Sequence, residues 1–328
     1  MKACLDCLPC LARNATELAR RSARGDAALE GHIAAEGMRI LGAAAEAGCP
    51  LPPPCYARQL IDNALAMSGG AVPDPWAEEK RKSTELAQRL LERLDEMPGW
   101  VRDAVAVNCD PPVVAGGTQF IASEFEKRLR LAIAGNILDF SIYADLDIAA
   151  AMETMSEAFT KPICGASGGR ALSGVVSELK RRMDEAKSIL WIFDNCGEAV
   201  FDRLLIEPYS EKITFAVRGK PAFNDMTRAE LVPSGLLPPD LYKCGGKVVS
   251  NDDGVPGVVD ATCGDAFRAA FASADLIIAK GQANFETMSD RTDKPIAFLF
   301  LAKCPVVCRE VGAQPQTIQV VLHNFERT

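Results

Sequence analysis

Histidine is almost missing from this 328-residue chain, which carries only His32 and His323. That scarcity disfavours His-rich zinc hydrolases and Ser–His–Asp hydrolases alike, because both place imidazoles at the reacting atoms. Any metal centre must therefore be built from carboxylate, amide or thiolate groups. Long hydrophobic runs are also missing: none approaches the roughly 18 apolar residues of a membrane helix. The first residues carry Asp6 and early cysteines rather than a basic head and an apolar stretch, so no export signal is expected and a cytoplasmic location is. Nor is there a basic excess. Against 36 Lys and Arg stand 44 Asp and Glu, a formal charge of −8. A broad basic face for nucleic acid is not expected. An anionic substrate remains compatible, because a metal and a few aimed lysines reverse the sign locally.

Twelve cysteines are the opposite case, a high count. In a chain of this size without an export signal they are expected as reduced thiols, some buried and some available as metal ligands.

The first half of the chain is helical in pattern. Apolar residues recur at helical spacing over 11–47, 56–67 and 76–95, with breaks at Cys49–Pro54 (CPLPPP), in the SGGAVPDP loop and at Pro98–Gly99. Similar patterns resume over 123–134 and 147–159. The second half changes character. Short β-branched apolar runs appear at 188–193 (SILWIF), 212–217 (KITFAV), 247–249, 276–279 (LIIA), 296–301 (IAFLFL) and 317–322 (TIQVVL), most separated by amphipathic helical patterns such as 168–186 and 197–205. This alternation predicts an α/β fold whose mainly parallel sheet is covered on both faces. The expected division is an all-helical N-terminal cap domain over 1–160 and an α/β domain over 161–328.

In open α/β sheets, ligands bind beyond the C-terminal ends of the strands. After SILWIF comes Asp194-Asn195-Cys196-Gly197-Glu198, and after KITFAV come Arg218-Gly219-Lys220-Pro221 and Asn224-Asp225-Met226-Thr227. After LIIA comes Lys280-Gly281-Gln282-Ala283-Asn284, and after IAFLFL comes Ala302-Lys303-Cys304. Two carboxylates and a carboxamide, Asp194, Asp225 and Asn195, are hard oxygen ligands suited to Mg²⁺ or Mn²⁺. Lys280 is expected to supply positive charge to a phosphate, with Gly281 letting the backbone come close to it. Each segment has a plainer alternative: Asp194 as a helix N-cap, NDMT as an Asx-turn at a helix start, Lys-Gly as an ordinary loop pair. Their coincidence at neighbouring strand exits favours a site.

Six segments then carry a resemblance: DNCGEAVFD (194–202), VRGKPAFNDMT (217–227), LIIAKGQANFET (276–287), AGNILDF (134–140), KACLDCLPC (2–10) and FLAKCPVV (300–307). In their order along essentially the whole chain they resemble the domain-of-unknown-function-89 family of metal-dependent damage-control phosphatases, in its prokaryotic branch with an N-terminal CxxC. The resemblance implies a Rossmann-like three-layer α/β/α domain beside a helical one, and hydrolysis of phosphate monoesters of small damaged or surplus metabolites, such as sugar phosphates or nucleotides. The implied cofactor is Mg²⁺, Mn²⁺, Co²⁺ or Ni²⁺, held by Asp194, Asn195 and Asp225. Lys280 matches the family's phosphate-binding lysine. Asn136 is implied to line the same pocket, with Glu198, Arg218, Asn224 and Asn284 as supporting substrate-binding residues. Cys196 departs from the alanine usual between DN and GE. Direct attack by water is expected rather than an aspartyl-phosphate intermediate, because both placeable acids are assigned to the metal.

Cys4, Cys7 and Cys10 form C-x₂-C-x₂-C, whose Cys4 and Cys7 are candidate ligands of a second metal with a fourth thiolate from afar. The alternative is a helix whose packed face carries Cys4, Cys7 and Leu11. GASGGRALSG (165–174) lacks a G-x-G-x-x-G register and is expected as a flexible helix start. Two other functions compete with the phosphatase: a Rossmann-like carboxyl methyltransferase, whose glycine-rich loop is not evident after the first strand, and a cysteine-ligated metal or cluster-binding protein.

Overall fold

A computed structural model describes residues 1–70, 73–96, 123–136, 148–160, 163–164, 172–236 and 247–325. The expectations for residues 137–140 of AGNILDF and for 165–171 of the glycine-rich segment lie outside the described residues.

The apolar runs form a seven-stranded sheet: β1 (Ile163–Cys164), β2 (Ile189–Ile192), β3 (Ile213–Val217), β4 (Lys247–Ser250), β5 (Leu276–Lys280), β6 (Ile296–Ala302) and β7 (Thr317–His323). Their order is β1-β7-β6-β5-β2-β3-β4. Every neighbouring pair is parallel except β6 and β7. The mainly parallel sheet expected from the alternating pattern is therefore present. β1, two residues long, has no pattern by which a sequence could announce it.

Strands β2, β5 and β6 are buried along their whole length, as continuous apolar runs require when both faces are covered. Their side chains alternate. Ile189, Trp191 and Phe193 point into one core, while Leu190 and Ile192 point into the other. The first core is completed by α4 (Ala77–Glu92), α5 (Glu124–Ala134), α6 (Ile148–Thr160), α7 (Leu172–Glu185) and α8 (Cys196–Ile206). The second is closed by α9 (Asp265–Ser273), α10 (Gln282–Met288) and α11 (Pro305–Val311).

The helices α1 (Leu8–Ala23), α2 (Ala27–Glu46) and α3 (Pro53–Met67) gather a third core of their own with Trp76 and Ala222. This partition differs from the expected cut at residue 160. Helices α4, α5 and α6 belong to the layer on the sheet, and the separately cored helical unit ends near Trp76. Helical periodicity shows that a helix has an apolar stripe, but not which neighbour covers it. The pattern expected over 11–47 is likewise two helices, separated where Arg24 turns left-handed (φ 49°) and the Asp26 side chain accepts hydrogen bonds from the Ala28 and Leu29 amides.

Chain order runs outward from β2 to β4 in one direction and from β5 to β7 in the other. The reversal lies between β2 and β5, and open sheets of this kind place their ligands at such a point.

Candidate active site

The site is built from the loops that leave β2 and β3. The Met226 amide donates to the Asp194 carbonyl at 2.7 Å and the Cys196 amide to the Asn224 carbonyl at 3.0 Å. Asn195 and Asp225 thus meet as an antiparallel bridge. Neither plainer alternative describes what these residues do. Asn195, not Asp194, occupies the N-cap position of α8, and its side chain makes no capping bond. Its Nδ2 donates to Asp194 Oδ2 at 3.1 Å. In the second loop Thr227 caps the following turn and exchanges a capping box with Glu230, which leaves the Asp225 carboxylate for other partners.

That partner is Arg218. Its Nε donates to Asp225 Oδ2 at 2.7 Å, and its Nη2 lies 3.9 Å from Asp194 Oδ1, so one guanidinium serves both acids. Asn136 Nδ2 donates to Asp194 Oδ2 at 3.2 Å and to Glu198 Oε2 at 3.0 Å. Asp194 and Asp225 are only 8% and 4% exposed, so the acids at these two strand exits are buried. Burial raises the Asp194 carboxyl well above the usual carboxylate range, as do the charges of Asp225 and Glu198, against the opposing pull of Arg218 and Lys303. Burial raises Asp225 as well, opposed first by Arg218.

Behind these acids lies a second buried group. Lys280 Nζ is fully enclosed, 2.6 Å from Glu198 Oε1, 2.7 Å from Asp202 Oδ1 and 2.9 Å from the Ala132 carbonyl. Burial opposes its charge, but Asp202 and Glu198 outweigh burial and hold its pKa above the ordinary value. Burial also pushes Asp202 up to about 7.

A cavity of ≈ 410 Å³ opens beside the acids, walled by Asn136, Asp194, Asn195, Asn224, Asp225 and Lys303 on the sheet side and by residues of α1 and α3 on the other. Several expected substrate contacts are not on that wall. Lys280 points away from the cavity because two carboxylates claim its amine. Glu198 is turned inward to Lys280 and Asn136. Arg218 is held by Asp225, the Gly257 carbonyl and Asn284. Asn284 braces strand ends by donating to the carbonyls of Lys280 (2.6 Å) and Phe193 (3.3 Å). Gly281 has φ 77° and ψ 159°, and a Cβ there would overlap the Asp194 carboxylate. Its missing side chain makes room for the Asp194 carboxylate.

Three contributors had no assigned role in the sequence reading. Lys303, at the exit of β6, is the lysine on the cavity wall. Asp202 had a signal, since it stands four residues after Glu198 on one face of α8. Lys80 had none. It is 1% exposed, donates to Asp74 Oδ2 at 2.9 Å and lies 3.6 Å from Glu230 Oε1, the same carboxylate that accepts from the Thr227 amide two residues after Asp225.

The side chains fit a divalent cation. Asp194, Asp225 and Asn195 offer hard oxygens. Across the connected buried cluster, four carboxylates (Asp194, Glu198, Asp202, Asp225) face two side-chain cations (Arg218, Lys280), a crowding of acids that a bound cation would relieve. The N-terminal cysteines bring two thiols together. Cys4 Sγ and Cys7 Sγ are 3.8 Å apart, but among the described residues no group of three or more His, Cys, Asp or Glu side chains is placed to hold an ion. Cys7 and Leu11 are buried on the packed face, and burial pushes the Cys7 thiol up to about 12. No described helix is long and apolar enough to cross a membrane.

Residues 3–318 match the damage-control phosphatase ARMT1-like domain. The damage-control phosphatase PH1575 of Pyrococcus horikoshii is 31% identical over 258 residues, 77% of this chain and 76% of that one. A damage-control phosphatase of Archaeoglobus fulgidus is 30% identical over 246 residues, 74% and 73% of the two chains. The crystal structure of a DUF89 family protein from Pyrococcus horikoshii superposes with a TM-score of 0.78 at 28% identity, covering 99% of both chains. This chain belongs to the DUF89 family of damage-control phosphatases, the ARMT1-like domain family.

Proposed function

We propose that the chain is a divalent-metal-dependent phosphatase acting on phosphate monoesters of small metabolites, including damaged or surplus sugar phosphates or nucleotides. The observation that carries this reading is the meeting of Asp194, Asn195 and Asp225 on one cavity wall, above a buried cluster in which four carboxylates share two side-chain cations. Those three residues would hold Mg²⁺, Mn²⁺, Co²⁺ or Ni²⁺, and a bound cation supplies polarisation of the phosphoryl group and orientation of the nucleophile.

The remaining work falls to the chain itself. Arg218 draws both acids toward the ionised form against the burial that raises them, as opposite charge within a few ångströms does. Asn136 and Asn195 fix the rotamer of Asp194 through its Oδ2. Lys280, through Glu198 and Asn136, stiffens that arrangement from below. Lys303 takes the phosphate-facing role expected of Lys280, because it is the amine on the cavity wall. Asn224 Nδ2, buried with no hydrogen-bond partner among the described residues, is available to donate to a phosphoryl oxygen. Water is the nucleophile in this reading, since Asp194 and Asp225 would both be taken up in holding the cation.

The test is release of p-nitrophenol from p-nitrophenyl phosphate across a divalent-metal series, with and without EDTA. Metal-dependent turnover is expected, falling by more than about 100-fold in Asp194→Asn, because losing even an outer partner of a metal-holding residue costs about 10–100-fold. Turnover that survives EDTA, or none with any metal, would refute the reading.

A further inference from the structure

The loop that delivers Asn224 and Asp225 carries an aromatic residue in an unexpected backbone state. Phe223 has φ 47°, in the left-handed region that a bulky residue seldom enters. Such conformations persist only where the surroundings enforce them, and they gather at sites of function. Here the enforcement is visible on both sides. Ala222 is fully buried in the core of α1–α3, the Arg58 guanidinium donates to the Pro221 carbonyl at 3.0 Å, and the Asp225 amide closes the turn onto the Ala222 carbonyl at 3.0 Å. The ring itself meets Trp76 edge-on, with centroids 5.3 Å apart and planes at 60°. Trp76 is in turn fixed by its amide, which donates to Asp74 Oδ1 at 2.9 Å, while Asp74 Oδ2 receives the buried Lys80. Both rings line the cavity that Asp194 and Asp225 line.

Glycine would adopt this turn without strain. The ring is what the turn presents. We propose that Phe223, braced by Trp76, is the specificity-determining residue for the alcohol half of the ester, selecting a leaving group that contains a ring. Aromatic side chains favour edge-to-face and offset contacts with other rings, and the same surface suits the C–H face of a pyranose. An acyclic alcohol offers no such face. The phosphoryl end meets Asp194 and Asp225 while the ring of the leaving group rests on Phe223, one residue before Asn224. This inference rests on the phosphatase reading.

The experiment compares wild type, Phe223→Leu and Phe223→Tyr with Mn²⁺ on three esters: p-nitrophenyl phosphate, glucose 6-phosphate and glycerol phosphate. Electron paramagnetic resonance measures Mn²⁺ affinity on the same samples. In Phe223→Leu the kcat/KM ratio of each ring ester to glycerol phosphate should fall by about 10-fold or more, mainly through KM, the scale on which apolar contacts discriminate substrates. Mn²⁺ affinity should hold, and Phe223→Tyr should restore the ratio. A fall confined to p-nitrophenyl phosphate assigns the face to aromatic rings, and a fall for both assigns it to rings in general. An unchanged ratio, or equal losses on all three esters together with weakened Mn²⁺ binding, overturns the proposal while leaving the phosphatase intact. A wild-type protein that cleaves none of the three overturns both.

Discussion

Replacing Gly281 by alanine should disable the site without unfolding the protein. The backbone there, at φ 77° and ψ 159°, lies in a region open essentially to glycine alone, so a side chain costs about 1–3 kcal/mol in strain. The added Cβ would also overlap the carboxylate of Asp194, which must swing away from Asn136, Asn195 and Arg218. A displacement of about 1 Å in a reacting constellation typically costs about 100-fold in rate. Two readouts follow. Calorimetry should show a melting temperature lowered by roughly 2–6 °C, at about 2 °C per kcal/mol for a chain of this size. Metal-dependent hydrolysis of p-nitrophenyl phosphate should fall by about 100-fold, with weaker Mn²⁺ binding. Gly42→Ala is the matched control. Gly42 lies within α2 with nothing near its absent Cβ, and alanine there should stabilise by about 1 kcal/mol with activity retained. If Gly281→Ala binds Mn²⁺ and turns over like wild type, Asp194 does not depend on that empty space and the reasoning fails.

Lys80→Met should destabilise the protein by about 3 kcal/mol, because it strands Asp74 and Glu230 without their buried cation, and chemical denaturation would measure it. It should also loosen the Asp225 loop through Thr227, weakening Mn²⁺ affinity more than Lys80→Arg does, and equal affinities would contradict the link. Glu286 titrates at about 7 rather than 4.5 because it is buried. Its raised folded pKa means stability is fully present below pH 4.5 and is lost as pH rises through 7, by up to about 3 kcal/mol. Glu286→Gln should therefore gain on wild type in denaturation midpoint between pH 5 and pH 8, and a pH-independent difference would count against the shift. Cys4→Ser with Cys7→Ser should leave zinc and iron content by elemental analysis as in wild type, whereas lost metal would revive the thiolate site.

Much of this protein was legible in its sequence because the information is local. The runs ILWI, LIIAK and IAFLFLA are strands buried on both faces, and no other neighbourhood suits such continuous apolar stretches. Once strands alternate with helices, the segments that follow them lie along one edge of a sheet, so Asp194, Asn195 and Asp225 could be brought together on paper before any coordinates. Tertiary structure alone decided the rest, for a common reason: the direction of a side chain is fixed by partners distant in the chain. Lys280 and Lys303 both leave strands as lysines. Only packing reveals that Glu198 and Asp202 on α8 claim the first amine, whereas the second lysine lines the cavity. Gly281 is a glycine for the sake of a carboxylate 87 residues earlier, and Lys80 steadies Asp225 through Glu230 from a helix whose own pattern says only that it is amphipathic. The division of the helical half follows the same rule, since α4–α6 and α1–α3 share a period but cover different surfaces. Periodicity fixes what an element is; long-range contact, with the burial and charge it brings, fixes what its residues do.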